Sequence, residues 1–159
     1  MSARIFSVDY YYTTVENRPG QGCKFLKMLA TGEVNLLAFN AFPISNEQTQ
    51  LVIYPQNATW LGELARRQGL TLYGPHYALL VQGDDELGAL VGIHEKLCDA
   101  DINVASSTGL TDGRGRYRYI MHVNPQEYER ALEVLGLSQG LQRWADFQLN
   151  RYRRFKAKA

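Results

Sequence analysis

A shift of 68 positions lays the second half of this chain over the first. It puts Gly20 on Gly88, Asn35 on Asn103, Leu29 on Leu97, Trp60 on Tyr128 and Leu64 on Leu132. One offset that superposes a turn glycine, a strand asparagine and apolar helix positions restricts the chain to a small unit used twice. A unit of about 70 residues buries only a marginal core by itself, so two such units are expected to pack together or to dimerise.

The first unit opens on Ile5–Val15, rich in β-branched and aromatic residues and read as a strand. A turn at Glu16–Gly20 leads into a helix in which Gly22, Phe25, Leu26 and Leu29 share one face. Val34–Phe42 and Gln50–Tyr54 are the next strands. Asn57 then caps a helix to about Gln68 that buries Trp60, Leu61 and Leu64, and Leu70–Tyr73 is a short fourth strand. The order restarts at His76 with a strand at Tyr77–Gln82, a helix at Leu87–Ala100, strands at Ile102–Thr108 and Arg116–Val123, and a helix from Pro125 to Leu135. The fold class is α+β: two ferredoxin-like βαββαβ domains in tandem.

The repeat breaks at its end. Where a last strand is due, Ser138–Phe155 places Leu141, Trp144, Ala145, Gln148 and Tyr152 near one helical face. The expected organisation is a domain at 1–75, a second at 76–137 and an amphipathic, basic C-terminal helix at 138–159. An exposed Trp144 beside Leu141 would be an aggregation liability, so Trp144 is expected to be buried.

Lys and Arg total 17 against 16 Asp and Glu, a net charge of +1, so no global field draws the chain to nucleic acid or to an anionic membrane. No apolar run reaches transmembrane length and no leader of signal-peptide type is evident, which makes a cytoplasmic protein the expectation. Cys23 and Cys98 have neither metal-ligand nor disulfide spacing. No nucleophile, base and orienter stand at a recognisable spacing, so the chain is expected not to be an enzyme and to need no cofactor.

The string Glu16-Asn17-Arg18-Pro19-Gly20, a helix of twelve residues, and then Val34-Asn35 resembles the ACT family. The likeness is closest to the serine-binding regulatory domain of phosphoglycerate dehydrogenase and is strongest over Tyr10–Leu37. It implies a regulatory protein that holds a free amino acid at an interface between domains, using the first loop and the second strand. The candidate ligand-binding residues are Asn17, Arg18, Gly20 and Asn35. The chemistry is sound on its own terms. Free N–H groups at a helix start suit a carboxylate, glycine lets backbone come close, and asparagine amides both donate and accept. A homodimer and a partner enzyme or regulator are the partners this implies.

The second unit's loop, Gly83-Asp84-Asp85-Glu86-Leu87-Gly88, lacks the asparagine and proline and carries three acids. Those acids are read as partners of a helix dipole rather than as metal ligands. His94 is read as a half-buried structural histidine because it falls on Leu26. In Tyr10-Tyr11-Tyr12 the middle ring faces opposite to its neighbours, so one aromatic face is wet or at an interface. Two alternatives remain open. A single-stranded RNA-binding module shares this topology, and Arg114–Tyr119 distantly resembles its third strand, but arginines stand where stacking aromatics belong. The other is an interaction module whose ligand site has decayed.

Overall fold

A computed structural model of the chain describes residues 3–137 and 142–144. The elements run β1 (Arg4–Glu16), α1 (Gln21–Thr31), β2 (Leu36–Pro43), β3 (Gln48–Pro55), α2 (Ala58–Gln68), β4 (Tyr73–Asp84), α3 (Val91–Asp99), β5 (Val104–Thr111), β6 (Arg116–Val123), a 3-10 turn (Pro125–Glu127), α4 (Tyr128–Val134) and β7 (Gln142–Arg143). The chain divides into two compact units. The first is Asp9–His76; the second takes the residues up to Val8 together with those from Tyr77 on.

In the first unit β3 pairs antiparallel with both β1 and β2. Alternation along β1 sends Tyr11 toward the helices, where its hydroxyl donates to Ala58 O at 3.2 Å. Tyr11, Leu51 and Ile53 of the sheet meet Phe25 and Leu29 of α1 and Leu61 and Leu64 of α2 in one apolar cluster. Each such aliphatic side chain contributes about 1.5–3 kcal/mol on burial. Leu26, expected on the same face, lies at its rim and is 40% exposed. Asn57 caps α2 as expected, its Oδ1 accepting from Trp60 N–H at 2.9 Å. Trp60 itself is half-buried, with its indole N–H donating to Gly32 O at 2.7 Å.

Tyr10 and Tyr12 face the other way and join an aromatic group with Tyr54, Tyr73 and His76 at centroid separations of 5.1–5.7 Å. Tyr54 is fully buried there, and burial pushes its hydroxyl far above the ordinary tyrosine range.

In the second unit β6 pairs antiparallel with β4 and β5. Leu79, Val81, Tyr117, Tyr119 and Met121 of these strands pack on Leu97 of α3 and on Ala131 and Leu132 of α4. The two cores correspond position by position at the offset of 68. Tyr11 stands for Leu79, Leu29 for Leu97, Leu51 for Tyr119, Ile53 for Met121 and Leu64 for Leu132. The backbone repeats too: Gly20 and Gly88 are left-handed at φ 92 and 77, and Glu33 and Asp101 at φ 57 and 55.

Three sequence expectations change. Leu70–Tyr73 and Tyr77–Gln82 are not two strands: Leu70, Thr71 and Leu72 are not strand, and β4 runs unbroken from Tyr73 through Gly74 and Pro75. α3 begins at Val91 rather than Leu87, since the left-handed Gly88 cannot lie within a helix. The missing last strand of the second unit has a substitute. Arg4–Val8 belongs to this unit, β1 is a sheet neighbour of β4, and Ile5 packs on the second core. β7 then pairs in parallel with the outer side of β1, Phe6 opposite Gln142 and Ser7 opposite Arg143. Gln142 and Arg143 are therefore strand where a helix was expected; apart from these two and Trp144, the expected helix falls outside the described residues.

Trp144 is buried at 5% exposure, as expected, with its ring edge-on to Phe6 at 5.2 Å and the Arg118 guanidinium 5.9 Å from its centroid. Phe6→Ala should cost about 3–5 kcal/mol and shift Trp144 emission to longer wavelength. Thermal melting with tryptophan fluorescence checks both, and an unchanged spectrum would separate Trp144 from β1.

Candidate functional site

The loop that carries Asn17, Arg18 and Gly20 joins β1 to α1. Asn17 N–H donates to Glu47 O at 2.8 Å, and its Nδ2 donates to Asn46 O at 3.3 Å. The side chain thus ties this loop to the β2–β3 turn. Arg18 Nε lies 2.6 Å from Glu16 Oε2 in an exposed pair, an arrangement that stabilises by well under about 1 kcal/mol. Gly20 precedes the first residue of α1. A Cβ there would meet nothing within 4 Å. Its glycine is required by the left-handed φ and not by crowding.

Asn35 lies elsewhere. It precedes β2, and its carbonyl accepts from Gln56 N–H at 2.9 Å. Leu36 pairs with Pro55 at that end of the sheet, whereas Pro43 pairs with Thr49 beside the Asn17 loop. The eight residues of β2 separate the two asparagines, a span of about 25 Å at strand rise. Asn17, Arg18 and Gly20 come together; Asn35 does not join them within one chain.

Two open clefts lie wholly in the second unit, and the sequence reading singled out neither. One, of about 390 Å³, sits at the β4–α3 loop, the counterpart of the Asn17 loop. Asp85, Glu86, Gly88 and Val91 line it on one side and Gly109, Leu110 and Arg118 on the other. Leu87, Val91 and Leu110 stand exposed around it. The acids there are not dipole partners, because α3 has no acidic residue in its first turn. Asp84 pairs with Arg116 at 3.3 Å instead. Among the described residues no group of three His, Cys, Asp or Glu could hold a metal ion.

The other cleft, of about 430 Å³, lies at the opposite end of β5, lined by His94, Cys98, Asp101, Asn103 and Ser107 over Leu97 and Ile102. His94 is exposed rather than half-buried, and its Nε2 shares a hydrogen bond of 2.7 Å with the Tyr119 hydroxyl. The signal that could have revealed this cleft was the comparison of the two copies. Ser107 and His94 fall where the first copy has Phe39 and Leu26.

On β6 the tyrosines turn inward, Tyr117 and Tyr119 being 7% and 4% exposed. The outward Arg116 and Arg118 are engaged by Asp84 and Trp144. That arrangement gives stacked RNA bases no aromatic platform on this strand. Among the described residues no helix is long and apolar enough to cross a membrane.

No family model matches the chain, and no curated protein matches it. Solved structures do. Protein BT0572 from Bacteroides thetaiotaomicron superposes with a TM-score of 0.72 at 12% identity, over 83% of this chain and 88% of that one. The ligand-free regulatory subunit of aspartate kinase from Thermus thermophilus gives 0.59 at 10% identity, over 87% and 98%. Aspartokinase alpha and beta subunits give 0.54 at 14% identity, over 89% and 99%. The chain shares the fold of these structures. At such identities the likeness is one of fold, and the site has to be argued from this chain's own residues.

Two expectations test the local account. Gly20→Ala should cost about 1–2 kcal/mol through its left-handed backbone, and Gly88→Ala similarly, both read as a lowered melting temperature. His122 is half-buried on β6, and burial holds its imidazole below the ordinary histidine value against an opposing hydrogen bond from Ser106. The unfolded chain therefore binds a proton more readily. The contribution of His122 is complete above the unfolded pKa, near 6.5, and is lost as pH falls below it. Melting temperature should drop on acidification through this window, and His122→Gln should flatten the slope.

Proposed function

We propose that this protein is a non-enzymatic regulatory or sensor protein of two tandem ACT domains. It binds a free amino acid and acts through oligomerisation or a partner protein. The observation that carries the reading is the repetition of core and loop positions at one offset, in a fold shared with the regulatory subunit of aspartate kinase. The finer likeness to the serine-binding domain of phosphoglycerate dehydrogenase, through Asn17, Arg18, Gly20 and Asn35, belongs to the same reading.

On this reading, the separation of Asn17 from Asn35 calls for an assembly of two copies. A ligand that touches both must lie where two copies meet. β2 and β5 are edge strands, and neither contains a charged residue, so nothing in their side chains opposes pairing with another strand. Antiparallel pairing about a two-fold axis sets the loop at one end of an edge strand beside the asparagine at the other end of its partner. The Asn17 loop of one copy then faces Asn35 of the other, and the loop cleft of the second unit faces the partner's cleft at Asn103.

A thermal-shift screen of the common amino acids on the full chain tests this. A ligand at a hundredfold its dissociation constant stabilises by about 2.7 kcal/mol. At least one amino acid should raise the melting temperature, Asn35→Ala should remove or reduce that shift without unfolding the chain, and Thr108→Lys on β5 should lower the mass seen by light scattering. If no amino acid shifts melting at millimolar concentration, the interaction module with a decayed site becomes the better description.

A further inference from the structure

The two copies keep the same rim and differ in the floor. At the rim, Glu33 and Asp101 share a left-handed backbone, and Asn35 and Asn103 each lie just ahead of the edge strand that follows. On the floor the residue types part. The first copy has Leu26, Phe39 and Leu51: Phe39 packs against the apolar cluster and stacks on Phe25 at 6.4 Å, and Leu51 is fully buried in it. The second has His94, Ser107 and Tyr119. Ser107 lacks the ring that Phe39 supplies, and a cleft of about 430 Å³ is open there. Tyr119 keeps its ring in the core while its hydroxyl reaches His94 at 2.7 Å. Three apolar positions have thus become a hydroxyl, an imidazole and a phenol, all on one side of β5 and α3. The Ser107 register opposite the buried Met121 fixes that side.

We propose that this cleft is a selectivity pocket for small ammonium compounds with a hydrogen-bonding tail, a hydroxyl or an amide. The proposal rests on the amino-acid-binding reading and adds the residues that choose among amino acids. Asp101 is the one carboxylate of the lining and suits the ammonium. Asn103 supplies both donors and an acceptor. Ser107 and His94 read the tail, with the imidazole held through Nε2 by Tyr119 so that Nδ1 serves the ligand. Tyr119 is a positioning residue. An aliphatic tail would leave these groups unpaired on binding, which is what disfavours it.

The test uses isothermal titration of the full-length protein with L-serine, L-threonine, L-asparagine and L-glutamine against L-valine, L-leucine and L-isoleucine. Wild type should bind at least one of the polar set more tightly than every aliphatic one. Ser107→Phe, which installs the first copy's residue, should weaken that binding by about tenfold or more, the loss expected when a hydrogen bond goes and its space is filled. His94→Leu should act likewise, whereas His94→Gln should recover part of the affinity. Tyr119→Phe should cost less than His94→Leu. Trp144 emission and circular dichroism establish that each variant is folded, and the Gln rescue keeps the test decisive if the Leu variant is unstable. Binding that favours aliphatic tails, or polar binding indifferent to both Ser107→Phe and His94→Leu, overturns the selectivity pocket and leaves amino-acid binding standing. Absence of heat from every amino acid, with no melting shift, overturns both.

Discussion

Everything in this protein depends on two strands that each serve two cores. β1 gives Ile5 to the apolar cluster of the second unit and Tyr11 to that of the first. β4 gives Leu79 and Val81 to the second cluster while its opening residues Tyr73 and His76 stack with Tyr12 in the first unit. The second unit does not draw its strands from its own half of the chain alone, since Arg4–Val8 belongs to it. A fold that shares strands in this way links the stability of its parts through the backbone, because fraying β1 removes groups from both clusters. Units near the lower size limit for independent folding gain most from that sharing.

Much of the fold was legible because it is local. The Asn57 cap, a helix after Pro125, and the facing of Tyr11 opposite to Tyr10 and Tyr12 follow from side chains acting within a few residues. The illegible parts are pairings between distant segments. Gly74 and Pro75 read as a break, yet β4 continues through them. Nothing in Arg4–Val8 announces that it lies with residues from Tyr77 onward, or that it stands where the second repeat lacks a strand. The parallel contact of Gln142 and Arg143 with Phe6 and Ser7 is equally invisible to periodicity, since two paired residues leave no repeat to detect.

The site was legible in composition and misleading in geometry. Asn17 and Asn35 were read jointly from their spacing, but a β-α-β path returns the chain to the far end of the sheet before β2 starts. Asn17 also has an intramolecular use, fastening its loop through Glu47 and Asn46. The acidic run at Asp84–Glu86 was assigned to a helix dipole, and Gly88 defeats that by delaying α3. The more telling signal in the sequence is divergence within the repeat. Leu26 against His94 and Phe39 against Ser107 are apolar-to-polar changes at aligned positions. Such changes inside a shared fold point to altered surroundings rather than to altered architecture.

Charge separates the two edges further. In the first loop Glu16 is engaged by Arg18, and α1 has no acidic residue in its first turn, so the start of that helix favours an anion. In the second loop Arg116 engages Asp84, while Asp85 and Glu86 remain along the cleft. Two carboxylates several ångströms from a bound carboxylate oppose it by about 1 kcal/mol each in a solvated setting, enough to offset what a helix start contributes. The second loop therefore suits a cation and the first an anion. One chain then presents two edges of opposite preference.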